Sequence, residues 1–240
     1  MTHLIDTHMH LDGCKNHKEI YEKINKLKQY TLCVTNTPQD FERCIKTYPE
    51  TKYLKFALGF NPQYAGEKKF NSFIFMRNIK KTKYIGEVGL DFTKPFVKYK
   101  DEQIKIFDFI CKIAANNNHI MSIHSRGAEK EVLEILIKNN VKRAILHWYT
   151  GDVGLIDRFI EEGYYFSIND RMGKGEKGKE IINRIPKDRK LIETDYPYNN
   201  SEDYFAELIM WSKKLEKISK IKIDYIKNFK ELLIVNLKND

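Results

Sequence analysis

The sequence contains no long uninterrupted run of apolar residues. A membrane-spanning helix needs about 18 or more of them in succession, and charged side chains interrupt every stretch of this chain before that length. Residues 1–12 also carry His3, His8, His10 and two aspartates, which the apolar segment of a secretory signal peptide would not tolerate. We therefore expect a cytoplasmic protein that does not enter a membrane.

Cysteine is scarce and dispersed. The four cysteines, at positions 14, 33, 44 and 111, form no Cys-x-x-Cys pair. This spacing argues against a disulfide framework and against a zinc ribbon, and it fits a reducing compartment. The chain also lacks low-complexity linkers and any internal repeat with a period of about 20–50 residues. We therefore predict one domain that spans residues 1–240.

The charge balance is basic, with a formal net charge of +9 at pH 7 and an isoelectric point near 9.1. A basic balance favours a polyanionic partner, and nucleic acid first among these. Lysine, asparagine and isoleucine are abundant throughout the chain, so a general compositional bias explains the same charge equally well. The positions of the cationic side chains therefore matter more than their number.

Short β-prone runs alternate with segments of helical periodicity. The clearest helical segments are residues 99–115, 128–139, 201–215 and 222–237. This alternation implies parallel strands. Eight strand–helix units predict an α/β fold of the TIM-type (β/α)₈ barrel class, which needs about 250 residues, whereas six would have favoured an open sheet. The predicted strands are residues 4–7, 31–35, 55–58, 84–87, 120–124, 143–147, 164–168 and 190–193.

Side chains that can bind metals stand at or just after the carboxyl ends of the predicted strands. In a TIM barrel these ends converge on one face, where the active site is built. Each residue alone is a weak signal, because a single histidine at a strand end is more often a hydrogen-bonded structural residue. Together they predict a metal centre. The six candidate ligands are His8, His10, Glu87, His124, His147 and Asp195.

His8 and His10 form a His-x-His pair. In extended backbone, residues i and i+2 point to the same side, so both imidazoles can hold one ion. Neutral imidazole together with carboxylate suits Zn²⁺ and tolerates Mn²⁺, Mg²⁺ or another divalent cation.

Five segments resemble the signature motifs of the TatD family, the metal-dependent deoxyribonucleases of the amidohydrolase superfamily. They occur in the order and spacing of that family between residues 5 and 198, and as a set they are specific. The segments are IDTHMHLD (5–12), GEVGLDF (86–92), IHSRGA (123–128), HWYTGD (147–152) and ETDYPY (193–198).

The resemblance implies a centre with two divalent metal ions. The His-x-His pair and Asp195 would hold the first ion, His124 and His147 would hold the second, and Glu87 would bridge the two. Ions about 3.5–4 Å apart clamp the attacking and leaving oxygens of an in-line displacement. Asp195 is our candidate for the general base, because a carboxylate at the first ion can also reach the attacking water.

Asp6 and Glu193 stand beside expected ligands. They are candidates to accept hydrogen bonds from the imidazole N–H groups of those ligands. An equally good interpretation makes them polar strand-end or capping residues.

The chain departs from the pattern of the family at three places. The stretch GFNPQY (59–64) puts Asn61 where the family usually has the first histidine of a His-Pro-His-like stretch. Trp148 and Tyr149 replace a frequent Cys-Phe, and Tyr196 replaces a frequent alanine. We expect none of these to contact a metal ligand, so they concern substrate preference more than metal binding.

Basic and aromatic side chains follow the predicted strand ends. Arg126 follows the fifth strand and can hold a phosphate with two hydrogen bonds. The segment 169–180 is cationic and contains three glycines, which predicts a flexible loop that brings Lys174 and Lys177 to the substrate. Trp148 offers a face on which an unpaired base can stack. The alternative is a merely solvated loop with aromatic residues that cap the barrel.

Taken with these features, the resemblance to the TatD family implies a two-metal-dependent phosphodiester hydrolase, a DNase that acts exonucleolytically and favours single-stranded DNA. The segments CVTNTPQDF (33–41) and FALGFNPQ (56–63) also resemble the TatD-like member of the Qat anti-phage defence operon, which implies antiviral defence and partner proteins from that operon. One alternative is a small-molecule amidohydrolase or esterase of the same superfamily. Another is a metal-binding subunit of a defence complex. Residues 199–240 carry no motif that indicates a function.

Overall fold

The computed structural model describes residues 4–198 and 203–234, and the fold is given for these. Their strands are short, buried and parallel to their neighbours. In chain order they are β1 (Ile5–Met9), β2 (Tyr30–Cys33), β3 (Leu54–Phe56), β4 (Tyr84–Gly89), β5 (Ile120–His124), β6 (Ala144–His147), β7 (Tyr165–Ile168) and β8 (Lys190–Ile192). These eight match the predicted strands to within two residues at every end.

The strands form two sheets that close into one barrel. The first sheet has the order β1-β2-β3, and the second has the order β4-β5-β6-β7-β8. At one seam, the backbone N–H of Leu58 donates to Tyr84 O, and that of Gly86 donates to Leu58 O. At the other seam, Thr7 Oγ1 donates to Ile192 O over 3.0 Å. The prediction of a TIM-type barrel is therefore confirmed.

Helices follow the strands and cover the outside of the barrel. None of those within the described ranges is long and apolar enough to cross a membrane. The helices are α1 (His17–Leu27), α2 (Pro38–Thr47), α3 (Ser72–Asn78), α4 (Lys100–Asn116), α5 (Glu129–Lys138), α6 (Ile156–Glu161), α7 (Glu176–Arg184), α8 (Tyr204–Ser219) and α9 (Tyr225–Ile234). The four predicted helical segments overlap α4, α5, α8 and α9; residues 201–202 and 235–237 of these segments lie outside the described residues.

Side chains on two helices show why the chain is helical there. Thr37 caps α2 by accepting a hydrogen bond from Asp40 N, and Pro38 occupies the first turn, where its missing N–H costs nothing. Asp203 caps α8 in the same way, through Phe205 N and Ala206 N. These caps satisfy backbone N–H groups that have no partner inside the helix.

Helix α9 closes the amino-terminal end of the barrel. Leu232 is fully buried against the first residues of β5 to β8, including Ile120, Tyr165 and Leu191. Because this end of the barrel is filled by apolar side chains, the opposite end, where the strands terminate, is left to carry polar residues.

The structure corrects the prediction of a flexible loop at residues 169–180. A 3₁₀ turn covers Met172–Lys174, and α7 begins at Glu176. Gly178 packs against this turn so closely that a Cβ atom there would lie 1.9 Å from Met172 O. At this position, glycine therefore serves close packing of the backbone.

Candidate metal centre

Glu87 lies at the centre of the cluster of predicted ligands, at the carboxyl end of the barrel. Its Oε2 is 3.4 Å from His10 Nε2. Its Oε1 is 2.7 Å from His124 Nδ1 and 3.2 Å from His147 Nε2. Since the carboxylate is 4% exposed, its two oxygens face imidazoles on two sides and are shielded from bulk water.

Asp195 completes the cluster from the segment after β8. Its Oδ1 is 3.5 Å from His8 Nε2 and 3.7 Å from His10 Nε2. The structure thus brings all six predicted ligands together. Within the described residues, two groups have ligand atoms within 4.8 Å of one another: His8, His10 and Asp195 in one, and His8, Glu87 and His147 in the other.

The group of His8, His10 and Asp195 is the set expected for the first ion. The other group differs from the set expected for the second ion. It contains His8, where His124 was expected beside Glu87 and His147. His124 still faces the cluster through Nδ1, its nitrogen nearest to Glu87. His8 therefore lies between the two sides of the centre, and its ring stacks on that of His147 at 3.8 Å.

Unsatisfied nitrogens show that this cluster fits a cation. His8 Nε2 and both ring nitrogens of His10 are buried without a hydrogen-bond partner among the described residues. A buried polar atom without a partner costs free energy, and a divalent cation would accept the lone pair that each neutral ring carries on one of its nitrogens. Imidazole nitrogens beside carboxylate oxygens are the donor set that Zn²⁺ and related ions use.

Irregular backbone aims the ligands into the barrel mouth. The register of β1 against β2 shifts around His8, and that of β4 against β5 shifts around Glu87; such irregularities redirect side chains. Trp148 and Asp195 adopt left-handed backbone, with φ of 41° and 54°. Left-handed backbone costs about 1 kcal/mol or more for residues other than glycine. Such strained conformations are typical of functional sites.

Asp91 orients His124 and was missed by the sequence analysis. Its Oδ2 accepts a hydrogen bond from His124 Nε2 at 3.0 Å and another from Gln63 Nε2 at 2.8 Å. Burial would raise the pKa of Asp91, but hydrogen bonds from His124, Gln63 and Thr93 outweigh it and hold that pKa well below its usual range. The available signal was its place four residues after Glu87 in the same motif.

Two other ligands have partners of the same kind. His8 Nδ1 lies 2.8 Å from Ser122 Oγ. His147 Nδ1 lies 3.4 Å from Glu193 Oε1. Glu193 was expected to accept a hydrogen bond from an imidazole of this kind. A partner on the second ring nitrogen fixes the tautomer and leaves the other nitrogen free to bind a metal.

Within the described residues, Asp6 accepts hydrogen bonds from backbone and hydroxyl groups and from no imidazole, which supports its alternative interpretation as a strand-end residue. Its carboxylate accepts hydrogen bonds from the backbone N–H of His8, the backbone N–H of Thr194 and the hydroxyl of Thr194. It therefore joins β1 to the segment after β8.

Asn61 contacts a predicted ligand, which corrects the expectation that the three departures from the family pattern would not. Its Nδ2 donates to Glu87 Oε2 at 2.7 Å and to Asn36 Oδ1 at 2.9 Å. The residue is 7% exposed. The substitution at this position therefore acts directly on the central carboxylate.

Burial and mutual charge set the protonation of the cluster. Burial raises the pKa of Asp195 to about 7, although His147 and His10 oppose this. Burial also lowers the pKa of His8 far below its usual value, and His147 lowers it further. Burial would raise the pKa of Glu87, but the three surrounding imidazoles outweigh it and hold that pKa well below its usual value. At neutral pH, His8 is therefore an uncharged imidazole that can donate a lone pair to a metal ion, and Glu87 is an anion.

We expect the affinity for Zn²⁺ to fall as the pH decreases below about 7. Metal ions compete with protons for carboxylate and imidazole, and the pKa of Asp195 is about 7, so binding at lower pH must displace its proton. Each displaced proton weakens the apparent affinity about tenfold per pH unit. Competition with a chelator across this range measures the effect, and equal affinity on both sides of neutrality would argue against Asp195 as a ligand.

A cavity of about 670 Å³ opens above the cluster. Arg126, Trp148, Arg171 and Tyr198 line it together with the ligands. The guanidinium carbon of Arg171 lies 5.9 Å from the centre of the Trp148 ring.

The two lysines expected to bind substrate do not line this cavity. Lys174 Nζ pairs with Asp170 at 3.0 Å, and Lys177 Nζ donates to Thr150 O at 2.9 Å. Both ammonium groups pair within the protein, with Lys174 in the 3₁₀ turn and Lys177 in the first turn of α7. Of the four expected substrate-binding residues, Arg126 and Trp148 therefore lie at the mouth.

A parallel barrel with clustered histidines and carboxylates at its carboxyl end defines the class of metal-dependent hydrolases. The sequence profile of the TatD related DNase family matches residues 5–239, and the chain belongs to this family.

Individual relatives agree with this assignment. An uncharacterised metal-dependent hydrolase from Buchnera aphidicola is 28% identical over 95% of both chains. The deoxyribonuclease Tat-D of Schizosaccharomyces pombe is 32% identical over 47% of this chain and 37% of its own. The crystal structure of the TatD homologue YjjV from Escherichia coli superposes with a TM-score of 0.80 at 18% identity, covering 96% of this chain and 95% of that one; at this identity it shows a shared fold.

Asp91→Asn should weaken metal binding about 10- to 100-fold, the usual effect of removing a carboxylate that orients a ligand histidine. The asparagine amide can turn its N–H₂ toward His124 and favour the wrong tautomer. Calorimetric titration of Zn²⁺ into metal-stripped protein measures this. Asp108→Asn, which removes a carboxylate bound to Lys138 on the outer helices, is the control that should bind like the parent.

Proposed function

We propose that the protein is a two-metal-dependent phosphodiester hydrolase that degrades DNA. The observation that carries this proposal is the position of Glu87, whose two oxygens face different imidazoles. That geometry suits a carboxylate shared between two cations. Two divalent cations, whether Zn²⁺, Mg²⁺ or Mn²⁺, would supply an activated water and neutralise the charge of a phosphoryl transition state.

In this proposal Asp195 is the general base. Its Oδ1 lies between His8 and His10 at the cluster, where it can accept a proton from the attacking water and pass it toward the leaving oxygen. Glu87 holds the two sides of the centre at a fixed separation, and Asp91 keeps His124 in one orientation. Positioning of this kind supplies a large part of the rate of phosphoryl transfer.

The mouth of the cavity provides groups that suit a nucleic acid strand. Arg126 is exposed beside His124 and can bind a phosphate through its planar guanidinium. The guanidinium carbon of Arg171 lies 5.9 Å from the centre of the Trp148 ring at the same rim, and a base without a pairing partner can stack on these groups. These features favour single-stranded DNA and removal of nucleotides from an end.

We further propose that the protein acts in the cytoplasm and in anti-phage defence. The four cysteines are free and buried, which supports a reducing, cytoplasmic environment. The two segments that resemble the Qat defence protein support a role in anti-phage defence with partner proteins of that operon. We also propose that residues 1–240 act as one domain, since the family profile extends over residues 5–239.

The test is hydrolysis of single-stranded DNA that is labelled at its 3′ or its 5′ end. Metal-stripped protein receives Mg²⁺, Mn²⁺ or Zn²⁺, and we expect metal-dependent shortening of the strand from one end only. The same strand paired with its complement should be degraded more slowly. Protein that binds its full metal complement but leaves DNA intact would favour the small-molecule amidohydrolase, since a cavity of this volume is also typical of small-molecule sites of about 300–1,000 Å³.

Arg126→Ala should weaken binding of single-stranded DNA roughly equally for all sequences and lower the salt dependence by about one phosphate contact. The guanidinium lies at the mouth, and phosphate contacts release counterions. Fluorescence anisotropy at several salt concentrations measures both quantities. Lys177→Ala should have a smaller effect, because Lys177 Nζ already donates to Thr150 O. Arg184→Ala is the matched control, since Arg184 pairs with Asp157 on the outer helices; an equal loss in all three variants would argue against a specific role for Arg126.

A further inference from the structure

A chain of side-chain amides connects the central carboxylate to the rim of the cavity. Asn61 Nδ2 donates to Glu87 Oε2 at 2.7 Å and to Asn36 Oδ1 at 2.9 Å. Asn36 Nδ2 in turn donates to the hydroxyl of Tyr198 at 3.3 Å. Asn36 and Asn61 are 5% and 7% exposed, so both amides are shielded from bulk water.

The direction of every hydrogen bond in this chain is fixed by its first member. The backbone N–H of Gln63 donates to Asn61 Oδ1 at 3.0 Å, and a backbone N–H can only donate. Asn61 must therefore present its N–H₂ group to Glu87 and to Asn36. Asn36 accepts through Oδ1, so its own N–H₂ group faces Tyr198. The hydroxyl oxygen of Tyr198 consequently accepts, and its hydrogen is not used in the chain.

Tyr198 lies where that hydrogen can meet a substrate. The residue lines the cavity together with Glu87 and Asp195. Its ring packs edge-on against the ring of His10 with centroids 4.8 Å apart. The side chain is half exposed, at 51%, and among the described residues the contact with Asn36 is the hydroxyl's hydrogen bond. A phenol placed here adjoins the metal centre and still opens to the cavity.

We propose that the Tyr198 hydroxyl donates a hydrogen bond to an anionic oxygen of the substrate at the metal centre. Asn36 and Asn61 are positioning residues, because they occupy the acceptor side of the phenol and leave only its donor side for the substrate. This inference rests on the proposed function, since it takes a phosphoryl group to be the bound anion. A donor aimed at developing negative charge stabilises a transition state more than the ground state.

Through this chain of hydrogen bonds, a substitution of Asn61 would also affect Tyr198 at the rim of the cavity. Asn61 holds Glu87 Oε2 and, through Asn36, sets which atom of Tyr198 is presented to the cavity. The amide of Asn36 thus links Asn61, which contacts Glu87, to Tyr198, which lies 137 positions later in the sequence.

Tyr198→Phe removes the hydroxyl and keeps the ring. We expect metal-loaded Tyr198→Phe to bind inorganic phosphate about 10- to 100-fold more weakly than the parent, the usual range for a hydrogen bond to a charged group, with unchanged metal content. Calorimetry measures phosphate binding, and elemental analysis measures the metal. Tyr64→Phe is the matched control, since Tyr64 lines the same cavity and takes no part in the amide chain.

Asn36→Asp tests the direction of the chain. Aspartate can only accept, so the Tyr198 hydroxyl must donate to it and can no longer donate to phosphate. We expect phosphate affinity to fall at least as far as in Tyr198→Phe. In the Asn36→Asp background, adding Tyr198→Phe should cause no further loss, and this non-additivity separates the lost donor from the added charge. Additive losses in the double variant would overturn the inferred direction.

Phosphate binding keeps this inference separable from the proposed nuclease activity. A parent protein that binds metal and phosphate but cleaves no DNA would contradict the proposed function and still allow Tyr198 to be tested. Equal phosphate affinity of Tyr198→Phe and the parent would overturn the role of Tyr198. Parent protein that holds its metal and binds no phosphate would overturn it as well. Loss of metal from Tyr198→Phe would also overturn it, because the hydroxyl would then stabilise the metal centre instead of binding the substrate.

Discussion

Glu87→Ala is expected to abolish measurable hydrolysis, with a loss of about 10³-fold or more, the upper range for removal of one charge-stabilising group. The change leaves the imidazoles of His10, His124 and His147 without the anion that they share. Metal content should fall from two ions per chain to one or fewer. Elemental analysis and the rate of cleavage of end-labelled DNA measure the two effects.

Glu67→Ala is the matched control for this variant. Glu67 lines the same cavity but belongs to neither group of ligand atoms, so the variant should retain its metal and most of its activity. If Glu87→Ala cleaved DNA at the rate of the parent, the two-metal mechanism would have to be abandoned.

Asp195→Asn should lower kcat by about 10²- to 10⁴-fold, which is the contribution of a positioned general base. Asparagine has nearly the same shape, and the backbone hydrogen bond from residue 195 to His8 O is unaffected, so the variant should fold. Because the amide can still bind a cation weakly through its oxygen, KM should change less than kcat. Steady-state kinetics at saturating metal separates the two constants.

Asp170→Asn controls for the loss of a carboxylate near the end of a neighbouring strand. Asp170 follows β7 and pairs with Lys174 and Lys214, so we expect kcat to stay near that of the parent. A kcat that was also unchanged in Asp195→Asn, with full metal content, would remove Asp195 from the role of base and leave it at most a ligand.

The barrel class and the positions of its eight strands could be predicted from the sequence alone. Eight short apolar runs that alternate with helices have few ways to bury both faces of a parallel sheet, and the closed barrel is one of them. The cluster of ligands followed from the same pattern. Since parallel strands all end at one face, residues as distant as His8 and Asp195 had to meet there.

The substrate-side groups could be predicted only in part. Arg126 and Trp148 lie at the mouth, as their positions after β5 and β6 indicated. Lys174 and Lys177 do not line the cavity, because a 3₁₀ turn and the start of helix α7 occupy the segment that the sequence indicated as a loop. Its glycines suggested flexibility, while Gly178 in fact packs against Met172.

What only the tertiary structure decided is how the ligands are held. Asp91 and His124 are separated by 33 residues, and Asn36 and Tyr198 by 162. A hydrogen bond depends on distances and angles that are set by side-chain rotamers after the barrel has closed. Strand ends fix which residues share a face, but they do not fix which atom of Asn61 meets Glu87. The sequence thus predicted the barrel and the six side chains that gather at its carboxyl end, and the packed structure determined their hydrogen-bond partners and the direction of those hydrogen bonds.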